Sequence, residues 1–216
     1  TVHHPPERKF IYFFIGEIHF NQKNFTSAIV FYDKALTIQD TFFECLVKRG
    51  ISSSKIGKYE DGLFYLKKAY AIKPKSFLVN FEIAKIYFFT NNFEKALENF
   101  NNCLKIVNDI RAYFYKGVCL YKLSKHDKAI SIFESISQTQ TNIKYRKAAI
   151  NELVKHYYSE AKYHKVLEYL MILKSIDPSN ETVYFELGKV FYILKKFKEA
   201  FINLEDAFER APLQGV

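Results

Sequence analysis

Apolar residues recur along this chain at helical spacing, and no stretch shows the strict alternation of a half-buried strand. Phe93, Ala96, Leu97, Phe100 and Leu104 form one such stripe, within NFEKALENFNNCL (Asn92 to Leu104). Nearly the same pattern appears as NFTSAIVFYDKAL from Asn24 to Leu36, and as KFKEAFINLEDAF from Lys196 to Phe208. Aligned on their small residue, Ala28, Gly62 and Ala96 are 34 residues apart, and Ala129, Val166 and Ala200 follow after 33, 37 and 34. A period near 34 has room for two short helices and their turns. It predicts a stack of helix pairs in which each pair buries its apolar face only against its neighbours.

In this register the chain resembles the tetratricopeptide repeat family over nearly its whole length. The resemblance implies an all-α fold, a right-handed superhelical α-solenoid of antiparallel helix pairs. Six repeats are expected at 9–42, 43–76, 77–109, 110–146, 147–180 and 181–214, between a lead-in (1–8) and a two-residue tail (215–216). The eighth position, small so that paired helices approach closely, holds Gly16, Gly50, Ala84, Gly117 and Gly188, with Val154 as the exception. The aromatic seventeenth position holds Phe25, Tyr59, Phe93, Tyr163 and Phe197, with His126 standing in. Pro74, Pro178 and Pro212 fall where a second helix must stop. Val154, Val166 and Leu173 enlarge the small positions of the fifth repeat, which predicts wider helix spacing there. The extra residues of the fourth repeat fall in SQTQTN, Ser137 to Asn142. Arg49 and Ser53 occupy positions that are usually apolar, so the second repeat opens on a weak helix.

Terminal repeats need a polar cap, and the last helix shows none: Phe201, Ile202 and Phe208 have no following helix to meet. The expectation is a piece of a longer protein, or end-to-end contact with further repeats or a partner at the C-terminal helix. TVHHPPERKF carries no apolar signal core, and no run of about 18 apolar residues predicts a membrane span.

Catalytic chemistry finds little support. Of the seven glycines none forms a phosphate-cradling loop. The histidines fall on separate repeats or helices, without zinc-ligand spacing. His19 sits at a core position. Cys45, Cys103 and Cys119 lie inside apolar-periodic segments, which predicts reduced thiols rather than disulfides. No enzyme activity, metal or cofactor is expected. The expected compartment is cytoplasmic, with nuclear or ciliary placement as alternatives.

The resemblance implies that positions 2, 5, 6, 9, 12 and 13 of each repeat line a concave groove. Thirteen of these thirty-six residues are aromatic, about twice the chain-wide 18%. The expected protein-binding residues are Phe13, Phe20, Phe81 and Phe88, then Phe114, Tyr121 and Tyr158, then Phe185 and Tyr192, with Lys85, Lys155 and Lys189 selecting acidic flanks. These positions are not ones the fold is expected to need for packing. Glu82/Lys85, Glu152/Lys155 and Glu186/Lys189 are spaced to pair along their own helices. The net charge of +9 lies mostly on second helices and turns, scattered rather than interleaved with exposed aromatics, which argues against nucleic acid. Chaperone-binding members of the family hold two carboxylates with Lys and Asn at fixed groove positions. Here the first three repeats supply Phe13, Glu17, Lys48, Leu78 and Glu82 instead, so a chaperone tail is not the expected ligand. The sequence predicts a non-catalytic scaffold that binds a partner peptide or helix in an aromatic groove. The alternative is an architectural segment of a large assembly, of ciliary or ubiquitin-ligase type, joined through its ends and convex face.

Overall fold

The computed structural model describes residues 7–210. The expected lead-in up to residue 6, the stop at Pro212 and the tail lie outside the described residues. Twelve helices and no strand occur among the described residues. They fall into two compact units divided after Ser124. Unit 1 holds α1 (Arg8–Asn21), α2 (Phe25–Ile38), α3 (Phe43–Lys55), α4 (Tyr59–Ile72), α5 (Phe77–Phe89), α6 (Phe93–Ile106) and α7 (Ile110–Lys122). Unit 2 holds α8 (His126–Ser137), α9 (Ile143–Ser159), α10 (Tyr163–Ile176), α11 (Glu181–Ile193) and α12 (Phe197–Arg210). Within each unit, helices pack mainly on their neighbours in sequence, the arrangement that tandem helix pairs require.

The 34-residue period is written into the backbone as well as the core. One residue of left-handed conformation closes the first helix of each pair: Lys23, Gly57, Asn91, Ser124, Ala161 and Lys195. Around Lys23, the Asn24 amide donates to the His19 carbonyl and the Lys23 amide to the Phe20 carbonyl, at 2.9 Å each. The same crossed pair of bonds recurs at Asn91 and Lys195, satisfying carbonyls that a helix end leaves open. Only Gly57 and Asn91 are residue types that signal this turn. The second helix then starts on a capping side chain in α2 and α6, where Asn24 and Asn92 accept from the amides of Ser27 and Lys95. Pro74 and Pro178 follow the ends of α4 and α10. Their carbonyls accept from Asn80 Nδ2 at 2.8 Å and Tyr184 Oη at 3.0 Å, tying each connection to the next helix.

Small residues stand where helices touch. A β-carbon on Gly16 would lie 2.6 Å from the buried Tyr32 ring, and one on Gly188 2.6 Å from Leu204. In the fifth repeat α9 and α10 are in less extensive contact than α1 and α2, or α11 and α12. The extra residues of the fourth repeat are not confined to SQTQTN. They also lengthen the next helix by a turn, since α9 has 17 residues where α11 has 13.

The polar residues of α3 are explained by a charge network. Arg49 is buried, donates from Nε to Asp33 of α2 at 2.6 Å and from Nη1 to Asp61 of α4 at 2.7 Å. Its guanidinium also bonds Ser53 and lies over the Tyr65 ring at 4.3 Å. The segment expected to be a weak helix is the strut that joins three helices.

Candidate protein-binding groove

In unit 1 the predicted groove aromatics sit deeper than expected. Phe81 is 5% exposed and belongs to the core formed by Ala84, Ala96, Phe100 and Cys103. Its ring meets Phe100 at 5.8 Å and Tyr115 at 6.2 Å. This corrects the expectation that these positions are spare: Phe81 is wedged between the second helix of its own pair and the first helix of the next. Phe88 is half-buried against Tyr115 at 5.1 Å and Phe93 at 5.8 Å. Phe13 packs on Phe42 at 5.1 Å, and Phe20 on Phe25 at 5.4 Å beneath the Lys48 ammonium. Phe114 and Tyr121, on α7, are half-buried, with Phe114 edge-on to Tyr115. These rings pack against one another and against neighbouring helices, while Phe10, Phe14 and Phe89 of unit 1 remain exposed.

The charges on that face are mutually satisfied. Lys48 donates to Glu17 at 2.5 Å across α1 and α3, and Glu17 also accepts from the buried Tyr32 hydroxyl. Burial first, and then the Glu17 carboxylate, push the Tyr32 phenol far up. Lys85 pairs with Glu82 at 2.9 Å, both largely buried. Arg111 is held by Asp109 at 2.9 Å, with its guanidinium 5.0 Å from the Phe81 ring.

Unit 2 is different. Asn151, Val154, Lys155 and Tyr158 of α9, with Glu186 and Lys189 of α11, line an open pocket of about 530 Å³. Lys155 and Lys189 each bond the glutamate one turn earlier, Glu152 at 2.8 Å and Glu186 at 2.9 Å, yet both ammonium groups remain solvent-accessible. The Lys189 ammonium also lies 5.3 Å from the Phe185 ring and 5.8 Å from the Tyr158 ring. The Tyr158 hydroxyl is buried and lacks a partner in bonding geometry. Burial, followed by the nearby Glu186 carboxylate, pushes its pKa up to about 12. Phe185 and Tyr192 are exposed on the same helix, Tyr192 leaning on Phe197 at 5.8 Å. Val154, the branched residue at a position that elsewhere is Gly or Ala, lines the pocket, and nothing in its residue type announces that. The structure therefore brings Lys155, Tyr158, Phe185 and Lys189 together, with Tyr192 further along α11.

The cysteine thiols are sealed. Cys45, Cys103 and Cys119 are free and fully buried, and burial pushes each thiol up to about 12, leaving negligible thiolate at neutral pH. His19 is half-buried and stacked on Phe31 at 5.4 Å, as its core position predicts. No described helix is long and apolar enough to cross a membrane.

Tandem all-α hairpins with small residues at most crossings define a helical-repeat scaffold. Residues 11–42 match the tetratricopeptide repeat family, and residues 57–136 match the family described as anaphase-promoting complex, cyclosome, subunit 3. With twelve helices in tandem pairs among the described residues, the chain is an array of about six tetratricopeptide repeats, the fold of a protein-interaction scaffold. It is 28% identical to TPR repeat-containing protein MJ1428 of Methanocaldococcus jannaschii, over 88% of this chain and 36% of that protein. The chain spans well under half the length of the curated relatives it matches. A solved tetratricopeptide repeat protein from Parabacteroides merdae superposes with a TM-score of 0.75 at 16% identity, covering 95% of this chain and 81% of that one. YrrB, described as a TPR protein with an unusual peptide-binding site, superposes with a TM-score of 0.62 at 14% identity, covering 85% and 93% of the two chains.

Proposed function

We propose that the chain is a non-catalytic scaffold that holds a partner peptide or helix against its first-helix faces, with the principal contact at the α9–α11 pocket of unit 2. The observation that carries this reading is the pocket itself, lined by Lys155, Lys189, Tyr158 and Glu186, with the exposed Phe185 ring beside it, 5.3 Å from the Lys189 ammonium. An apolar side chain of the partner enters beside Tyr158 and Phe185, where a ring buried on both sides contributes most of the affinity. An acidic neighbour meets Lys155 and Lys189, which adds selectivity more than strength. The peptide-binding site of YrrB, a protein of the same fold, supports this kind of use. The rings of unit 1 hold their helices in place and contribute edge contacts. The free, buried thiols fit a reducing compartment, cytoplasmic in the first instance.

A second reading has its own support. The match of residues 57–136 to an anaphase-promoting complex subunit family favours a segment built into a large assembly. Selection of random peptides on the 216-residue chain tests the first reading. Selected peptides should carry an aromatic or large aliphatic residue next to Asp or Glu, and should lose at least about 30-fold in affinity on Phe185→Ala, a hot-spot-sized loss. Peptides without such a pattern, or binding unaffected by Phe185→Ala, would leave the assembly reading standing.

A further inference from the structure

We propose that the edge of unit 2 formed by the starts of α8, α10 and α12 is a docking strip for an acidic segment of the partner, adjoining the α9–α11 pocket. This rests on the peptide-binding reading and extends it to a second surface. The residue before the second helix is Asn24, Lys58 or Asn92 in the first three repeats, but Lys125, Lys162 and Lys196 in the last three. Asparagine caps a helix by accepting from its free amides, as Asn24 and Asn92 do. A lysine ammonium cannot accept, and it sits at the positive end of the helix dipole, where it is disfavoured. Three second helices in a row therefore start against the local rules of helix stability, a pattern expected at functional surfaces.

The antiparallel packing of unit 2 gathers these lysines. The His126 ring at the start of α8 lies 6.3 Å from His156 near the end of α9, Tyr163 of α10 lies 5.9 Å from Tyr158, and Phe197 of α12 lies 5.8 Å from Tyr192 of α11. Lys125, Lys128, Lys162, Lys195, Lys196 and Lys198 are all exposed on this edge, against Asp127, Glu160 and Glu199. Of these lysines only Lys162 forms an ion pair among the described residues, with Glu160 at 2.6 Å. Residues at this place stay exposed inside the array, since Lys58, Lys125 and Lys162 are each followed by a further pair. At the opposite edge Lys147 is held by Asp177, and Arg210 by Asp206. The strip is continuous with the pocket: Lys155 and Lys189 stand one turn before the ends of α9 and α11, with Tyr158 and Tyr192 between them and the strip. An acidic segment that leaves the pocket toward this edge meets unpaired ammonium groups. Lysine acts there as a point charge without fixed geometry, so charge rather than sequence defines the segment. Continuity with the pocket of a protein-interaction scaffold favours a protein segment over nucleic acid or a lipid surface.

Fluorescent hexaglutamate titrated with the 216-residue chain at physiological salt, where distant charges are screened, tests the strip. The edge variant Lys125→Glu/Lys196→Glu removes two attractions and adds two repulsions, so binding should weaken about tenfold. Lys67→Glu/Lys75→Glu changes two exposed lysines of unit 1 with the same effect on net charge, and should alter binding less than about twofold. Unchanged circular dichroism shows that each variant folds. Phe185→Ala should leave hexaglutamate binding unchanged, which separates this proposal from the pocket reading. A peptide selected on the pocket should gain affinity when three glutamates are added at one of its ends, and should lose that gain with the edge variant. No binding of hexaglutamate by the wild type up to about 1 mM would overturn the proposal. Equal losses in the edge and control variants would also overturn it, because net charge alone would then account for binding. So would a glutamate gain that survives in the edge variant. Tighter, edge-dependent binding of phosphatidylserine vesicles or of an RNA duplex would overturn it as well, by assigning the strip to a lipid surface or to nucleic acid.

Discussion

Replacing Arg49 by alanine removes a guanidinium that ties α2, α3 and α4 together. Its bonds to Asp33 at 2.6 Å and to Asp61 at 2.7 Å are both charge-assisted. Bonds of that kind contribute about 1.5–3 kcal/mol each. Asp33 and Asp61 retain 42% and 37% exposure, so both carboxylates rehydrate once released, and the lower end of the range applies. The expected loss is about 3 kcal/mol at pH 7. Its pH dependence has a definite sign. Burial opposes charge on Asp61, but the bonds from Ser53 and Arg49 outweigh it and hold the carboxyl below its usual range. A depressed native value contributes stability that is present above the unfolded value, about 4, and is lost as pH falls through the native one. The gap between wild type and Arg49→Ala is therefore full at neutral pH and narrows below about pH 4. Urea unfolding followed by circular dichroism at pH 7 and pH 3 measures it. Hydrogen exchange of the α3 and α4 amides locates the loss, because repeat arrays unfold in parts. A loss under about 0.5 kcal/mol at pH 7, or a gap that does not narrow in acid, would refute the reasoning.

Other consequences follow from the same geometry. Native Cys45, Cys103 and Cys119 should resist a thiol reagent at pH 8 and react together in urea; a fast-reacting native thiol would contradict their burial. Ala161→Gly should stabilise by about 1 kcal/mol by relieving a left-handed alanine, and Gly57→Ala should destabilise by a similar amount; denaturation midpoints decide both. Gly16→Ala should cost about 1–2 kcal/mol because the buried Tyr32 ring cannot turn away. Gly188→Ala should cost a similar amount, because the new β-carbon would meet Leu204 Cγ at 2.6 Å and the Ala200 carbonyl oxygen at 3.3 Å; a neutral change at either site would count against the packing described.

Much of the fold is legible in the amino-acid sequence, because the period is carried by residues with single physical roles. Glycine or alanine at a helix crossing and an aromatic at the start of a second helix leave few alternatives. Most of the turn residues are hidden, since Lys23, Ser124, Ala161 and Lys195 adopt a conformation that only Gly57 and Asn91 advertise. Arg49 reads as a defect in its helix because its partners, Asp33 and Asp61, lie 16 and 12 residues away on other helices. For the site, position within the repeat identifies which side chains share a face but not how deep each lies. Phe81 and Phe185 hold the same repeat position, yet Phe81 is covered by Phe100 and Tyr115 while Phe185 is open. Depth is set by the neighbouring pair, and a single repeat does not record it.

The most direct test of the central claim is affinity capture from the source cell with three baits: wild type, Phe185→Ala/Tyr192→Ala, and Phe208→Glu. Captured proteins are identified by mass spectrometry, and their binding segments are then titrated as peptides. The account predicts a partner that is lost with the groove variant, retained with Phe208→Glu, and bound through a segment pairing an apolar anchor with an acidic residue. The same partners in equal amounts on wild type and the groove variant would contradict it, and would assign the contacts to the ends and the second-helix faces.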